Sequence, residues 1–208
     1  MARDIKRRPP RRNLLSKVLI ACEGKETEPN YFKAIRQDQR LQTVEIIILP
    51  HKRETDPQNI ISQVIEARNK EIDDDRWIAG DIAWAVFDGD EHRNKSLEKW
   101  RKALELAKKE KIQLAITNPC FDFWYLLHFQ DHFAQINSDR TLHLLRKHIH
   151  NYEKSLAVYN KYLKSRTESA IDRGETIARK IQQNQLDEHD NPCCTGLVKL
   201  VQSLLKSK

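Results

Sequence analysis

Lys17-Val18-Leu19-Ile20-Ala21-Cys22, followed at once by Glu23-Gly24, is the stretch that decides the fold. Its apolar residues are continuous rather than alternating. That pattern suits a central strand covered on both faces, not one with a wet side. Glu23-Gly24 then reads as a turn. A helix is expected from about Thr27, with Pro29 tolerated in its first turn and Tyr31, Phe32 and Ile35 on one face.

Working outward, 44–49 is a second apolar run, stopped by Pro50. Asp56-Pro57 reads as an N-cap followed by a first-turn proline. Ile60, Ile61, Val64, Ile65 and Ile72 then mark an amphipathic helix. A third strand at 82–87 runs straight into Asp88-Gly89-Asp90. Leu97, Trp100, Leu104 and Ala107 give the next helix, and 112–116 a fourth strand. Such β-α alternation predicts an α/β fold with a mostly parallel sheet and helices on both faces. After Pro119 the character changes. Helical patterns are expected at 121–129, 141–149, 155–163, 168–185 and 196–205. The expected organisation is a basic arm over 1–15, an α/β core over 16–118 and a helical C-terminal part over 119–208 packed on the core.

Composition bounds the partners. In 208 residues, 39% are hydrophobic, and four Trp, six Phe and five Tyr supply enough bulk for a core. No apolar run approaches the roughly 18–20 residues that span a bilayer, so no membrane is expected. The first residues are charged and carry no apolar signal core, so secretion by that route is not expected either. Cys22, Cys120, Cys193 and Cys194 show no two-residue gap of a thiolate zinc site. They read as reduced thiols of a cytoplasmic protein. Thirty-seven Lys+Arg against 30 Asp+Glu give a charge of +7. Much of the excess lies in Arg3, Lys6, Arg7, Arg8, Arg11 and Arg12. Such an arm is either a solvated tail or a contact for nucleic acid. With five Gly and no Gly-rich phosphate loop, the chain is not itself an ATPase.

In an open parallel sheet, ligands bind beyond the carboxyl ends of the strands. Glu23 ends the first strand, and Asp88 with Asp90 ends the third. Three hard oxygen donors on one edge suit Mg2+ or Mn2+. Gly24 and Gly89 would let the backbone turn tightly there. An extended Asp-x-Asp would send both acids to one face. The plainer reading is that Asp88-Gly89 is an ordinary turn signal. Asp73-Asp74-Asp75 has no strand before it and reads as a solvated turn. Trp124, Tyr125, Leu126, Leu127 and Phe129 read as core rather than as a base-stacking platform, because no Arg or Lys interleaves them. His143, His148 and His150, among Arg146 and Lys147, read as part of a solvated helix.

Val18 to Gly24, then Phe87-Asp88-Gly89-Asp90, with the β/α alternation, look like a Toprim domain. That is the metal-binding fold of topoisomerases, primases and OLD-family nucleases. Three longer strings resemble the RloB family: Cys22 to Phe32 (CEGKETEPNYF), Asp88 to His92 (DGDEH) and Asn118 to Phe129 (NPCFDFWYLLHF). Asn191-Pro192 followed by Thr195 is similar to that family's C-terminal pattern. At position 122 the family more often carries Glu, so Asp122 is one methylene shorter. The resemblance implies a Mg2+- or Mn2+-dependent nuclease linked to restriction–modification and phage defence, often beside an ATPase gene. It implies that Asp88 and Asp90 bind metal and that Glu23 binds metal or acts as general base. Asp122 would complete the site or serve as an N-terminal helix acid. Lys25 and His92 would contact phosphate, or lie exposed on the surface. Glu26 and Glu28 would be outer-sphere groups or helix N-terminal acids. The alternative, second to the nuclease, is a nucleic-acid-binding or regulatory subunit of a partner ATPase, without its own catalysis. DNA or RNA, and monomer or oligomer, stay open.

Overall fold

The computed structural model describes residues 16–48 and 56–206. The arm expected at 1–15 and the end of the second run at Leu49-Pro50 lie outside the described residues. Four strands form one sheet, β1 (Val18–Cys22), β2 (Val44–Ile48), β3 (Ile82–Asp88) and β4 (Gln113–Thr117). All pairings are parallel, in the order β2-β1-β3-β4. β1 is flanked on both edges, with Val18 level with Val44 on one side and Ile82 on the other. That is why its five residues are all buried.

Because side chains alternate along a strand, the sheet divides its residues between two cores. Leu19, Ala21, Ala83, Ala85 and Phe87 face α2 (Pro57–Asp73) and α4 (Leu97–Lys109), meeting Ile60, Ile61, Val64, Trp100, Ala103 and Ala107. Val18, Ile20, Cys22, Trp84 and Val86 face the larger, aromatic core. Tyr31 and Phe32 of α1 (Thr27–Gln39) enter it, as do residues 123–127 of α5 (Phe121–Leu127). α6 (Ser138–His148), α7 (Thr167–Gln183) and α8 (Thr195–Lys206) complete it. The capping expected at Asp56 is present, its Oδ1 accepting from Asn59 N at 2.8 Å.

Three local expectations need revision. The segment after the third strand is a short helix, α3 (Asp90–Lys95), which no apolar periodicity announced. The helix expected over 155–163 is a π-helical turn, Tyr159–Leu163, followed by a 3-10 turn, Lys164–Arg166. Ile72 and Leu97 are exposed rather than core-facing, because they sit at the last and first turns of α2 and α4.

Residues beyond 119 pack onto the same sheet as those before it. α8 lies on β4, and a Cβ at Gly196 would collide with the Leu114 carbonyl, so glycine allows the close approach. Asn118 and Cys193 exchange backbone hydrogen bonds, each 2.9 Å. Asn118 Nδ2 also donates to His189 O at 3.1 Å and Asn191 O at 2.8 Å. The two Asn-Pro strings, distant in sequence, therefore meet at the end of β4. No helix among the described residues is long and apolar enough to cross a membrane.

Candidate active site

The carboxyl ends of β1 and β3, the first turn of α5 and the segment after α6 enclose a cleft of about 510 Å3. Glu23, Glu26, Glu28, Asp88 and Asp122 line it, with Lys25, His92, Cys120 and Lys154. The position follows from the fold, since the edge beyond parallel strands is where loops can converge without blocking a ladder.

Glu23 extends β1 by one residue, its N–H donating to Val86 O at 3.0 Å. This aims its side chain across β3. Oε1 lies 2.8 Å from His92 Nε2, and Oε2 accepts from Asp88 N at 3.4 Å. His92 is buried, edge-on to Phe87. Its ring meets the cleft beside Glu23 with little surface open to solvent. Asp88 ends β3, level with Thr117 on β4. Its Oδ1 accepts from Thr117 Oγ1 and from Phe121 N, both at 2.8 Å. Asp122, in the first turn of α5, accepts from Tyr152 OH at 2.6 Å. Glu28 lies in the first turn of α1 and is 6% exposed.

Crowding these acids has an electrostatic cost. Burial raises the pKa of Glu28 to about 7; Glu23 and Asp122 push in the same direction, against its own backbone hydrogen bond and Lys154. Burial also raises Asp88 well above the usual carboxylate range, and Glu28 and Glu23 add to it, against the Thr117 hydroxyl and Lys154. Asp122 is raised by burial too, opposed by Tyr152, Lys154 and Arg146. For Lys154, burial works against the charge, but Asp122 and Asp88 hold the ammonium above its ordinary value. Burial and the same two aspartates raise the Cys120 thiol to about 12, which leaves it a poor nucleophile.

Of the residues singled out from sequence, Glu23, Asp88, Asp122, Lys25 and His92 all line this one cleft. The side chain of Asp90 lies outside what the structure describes. Its backbone is placed, and it corrects one expectation. The chain is not extended through Asp88-Gly89-Asp90. The strand stops at Asp88, Gly89 is helical (φ −86°, ψ −40°) and Asp90 opens α3. Neither Gly24 nor Gly89 has the positive φ that a glycine turn needs; Gly80 alone among the described glycines does. Gly24 serves another purpose. A Cβ there would run into the Glu28 carboxylate. Thr117, Tyr152 and Lys154 were not foreseen. Thr117 could have been found by asking which residue pairs with Asp88 across the sheet. The stretch around Tyr152 and Lys154 has no periodicity to place it.

Among the described residues, no group of three or more His, Cys, Asp or Glu side chains is arranged to hold a metal ion. Glu23, Asp88 and Asp122 are each engaged by protein donors. The donor chemistry nevertheless fits a hard cation. Five carboxylates share one cleft, and like charge from Glu23 and Asp122, added to burial, raises Glu28 to about 7.

The fold and cleft define an α/β protein with a buried acidic site at the carboxyl edge of a parallel sheet. The family model described as RloB-like protein matches residues 18–204, and the chain belongs to that family. No curated protein and no solved structure matches it.

Proposed function

We propose that this protein is a divalent-metal-dependent nuclease of Toprim type, hydrolysing phosphodiester bonds of DNA or RNA in the cytoplasm as part of phage defence. One observation carries the reading. Five acids line the cleft at the ligand-binding edge of the sheet; burial disfavours the ionised forms of Glu28, Asp88 and Asp122, and neighbouring acids add to this at Glu28 and Asp88. Nothing in the packing of the sheet needs such a cluster. A cation that neutralises it would make the arrangement favourable.

Glu23, Asp88 and Asp122 would hold Mg2+ or Mn2+, with Glu28 beside them. Bound there, the metal would supply positive charge for the scissile phosphate. The rest falls to the chain. Glu23, steadied by His92 Nε2, would take a proton from the attacking water at its carboxylate. Thr117 and the Phe121 amide fix Asp88, and Tyr152 fixes Asp122, so that neither acid swings when substrate arrives.

The test incubates the full chain with labelled DNA and RNA, with Mg2+, with Mn2+ and with EDTA, beside Asp88→Asn. Cleavage should need metal and should fall by at least about 100-fold in the variant. Cleavage indifferent to both EDTA and Asp88→Asn would overturn the reading.

A second reading rests on a different observation: the described acids already have protein donors, and no three of them are arranged around a metal. That favours a nucleic-acid-binding or regulatory subunit working with a partner ATPase. Stable co-purification with such a partner, together with metal-independent binding and no cleavage, would support it. A lone protein that cleaves unaided would remove it.

A further inference from the structure

We propose that Lys154 receives a backbone phosphate of the nucleic acid at the mouth of the acidic cleft, and so sets which phosphodiester lies over the carboxylates. This rests on the nuclease reading above and adds a residue that the chain's sequence does not announce.

The geometry of its segment is the first reason. Tyr152 is 1% exposed and acts as a plug. Its hydroxyl donates to Asp122, its N–H donates to Ile149 O at 3.1 Å, and its carbonyl accepts from Arg146 Nε at 3.2 Å. Two residues on, the Lys154 carbonyl accepts from Thr27 Oγ1 at 3.3 Å, at the start of α1. The segment is thus tied to α5 through the Tyr152 side chain, to α6 through the Tyr152 backbone and to α1 through the Lys154 carbonyl. An exposed surface loop that only filled space would not need these ties.

The charge is the second reason. The Lys154 ammonium lines the cleft but makes no ion pair among the described residues. Lys17, by contrast, is paired with Glu71, Lys164 with Asp38 and Lys102 with Glu98; what sets Lys154 apart is an unpaired ammonium beside buried acids. Asp122 and Asp88 attract the Lys154 ammonium toward the cleft without capturing it. A cation with a fixed root and a free head is suited to a phosphate oxygen, which offers a point charge and tolerant geometry. Lys25 also lines the cleft and, like Lys154, is exposed, but it sits in the β1–α1 turn, on one side of the cleft only, whereas the Lys154 carbonyl is bound by Thr27 from across it.

The competing role is a plain counter-ion that offsets the acids. The experiment separates the two. Binding of a short fluorescein-labelled oligonucleotide is followed by anisotropy across a salt series, in EDTA and in Ca2+. Lys154→Ala should weaken binding roughly tenfold and make the slope of log Kd against log salt shallower by about 1. Lys154→Arg should restore most of both, and Lys109→Ala, at the exposed end of α4 away from the cleft, should leave the slope as it is. In cleavage assays with Mg2+, Lys154→Ala should raise KM by a similar factor. If wild type binds or cleaves while Lys154→Ala matches it in affinity and slope, Lys154 is no phosphate receiver and the nuclease reading stands. A lower melting temperature for Lys154→Ala with an unchanged slope identifies the counter-ion and also overturns the proposal. If wild type neither binds nor cleaves, both fall together.

Discussion

Asp122 and Trp124 lie two residues apart on α5 and belong to regions built on opposite terms. Trp124 is fully buried, edge-on to Tyr31 and His128, in a core of rings and aliphatic side chains. There, removal from water is the source of stability. Asp122 faces the cleft, where the same removal from water penalises its ionised form and those of Asp88 and Glu28. One helix turn therefore divides a region that holds the fold from a region that the fold has to hold. The comparison teaches that burial alone does not mark a residue as structural. What matters is whether burial lowers or raises the free energy of the state the residue must adopt.

The strongest way to break that contrast is truncation on the apolar side. Trp124→Ala should cost about 3–5 kcal/mol, as large aromatic deletions in close-packed cores do. For a chain of this size that lowers the melting temperature by roughly 10 °C. Asp88→Asn, which keeps an oxygen to accept from Thr117 and Phe121, should leave the melting temperature unchanged or higher. If Trp124→Ala melts within a degree or two of wild type, or Asp88→Asn melts far below it, the division fails.

The next effect uses titration. His128 is fully enclosed, with Nδ1 at 2.9 Å from Trp124 O and no protein partner for Nε2. Burial lowers its pKa from 6.5 to about 3; Arg173 and Arg166 act in the same direction, against the Trp124 carbonyl. Between these values the unfolded chain binds the proton and the folded chain does not, so stability falls as pH falls through that window. From pH 7 to pH 5 this contributes a loss of about 2 kcal/mol. Raised carboxylates such as Glu28 carry the opposite sign, because the folded state holds their protons more tightly. Denaturant titrations at pH 5 and pH 7 on wild type and His128→Leu isolate the histidine: the loss on acidification should be smaller in the variant by that amount. Equal losses would mean His128 is protonated in the fold.

How far these regions could be read from sequence follows the same divide. The apolar run 18–22 announced a strand buried on both faces, and the lack of interleaved Arg or Lys around Trp124 announced core. Glu23 and Asp88 were legible because strand ends in a parallel sheet are where ligands sit. Asp122 was legible only through its neighbours in the NPCFDFWYLLHF string. What could not be read was supplied by tertiary contact. Tyr152 comes to Asp122 from thirty residues away, out of a stretch with no periodicity. α3 is entirely polar, DEHRNK, so it carries no amphipathic signal. The π-helical turn at 159–163 has the composition of an ordinary helix, and its wider backbone hydrogen-bond register distinguishes it. His92 was noticed as a group near phosphate, but its burial against Phe87 and Glu23 depends on α3 folding back.

The smallest effects separate the two glycines of the cleft edge, which the sequence treats alike. At Gly89 the backbone is ordinary helix, and an added Cβ would sit 3.1 Å from Ile116 Cγ2, in a flexible apolar side chain. Gly89→Ala should change stability by no more than about 1 kcal/mol and leave cleavage within a few-fold of wild type, since alanine also favours the helical conformation. At Gly24 the Cβ would meet the Glu28 carboxylate, the acid most nearly poised between charge states. Gly24→Ala should leave the melting temperature within about 1 kcal/mol of wild type in stability terms, because the displaced group is the far end of a side chain. Cleavage should nonetheless fall by about tenfold or more, because an acid displaced by about an ångström or more no longer meets its partners. Measured side by side, the pair asks whether the cleft is held by backbone conformation or by the room left for one carboxylate. Equal activity of the two variants would return both glycines to the role of simple turns.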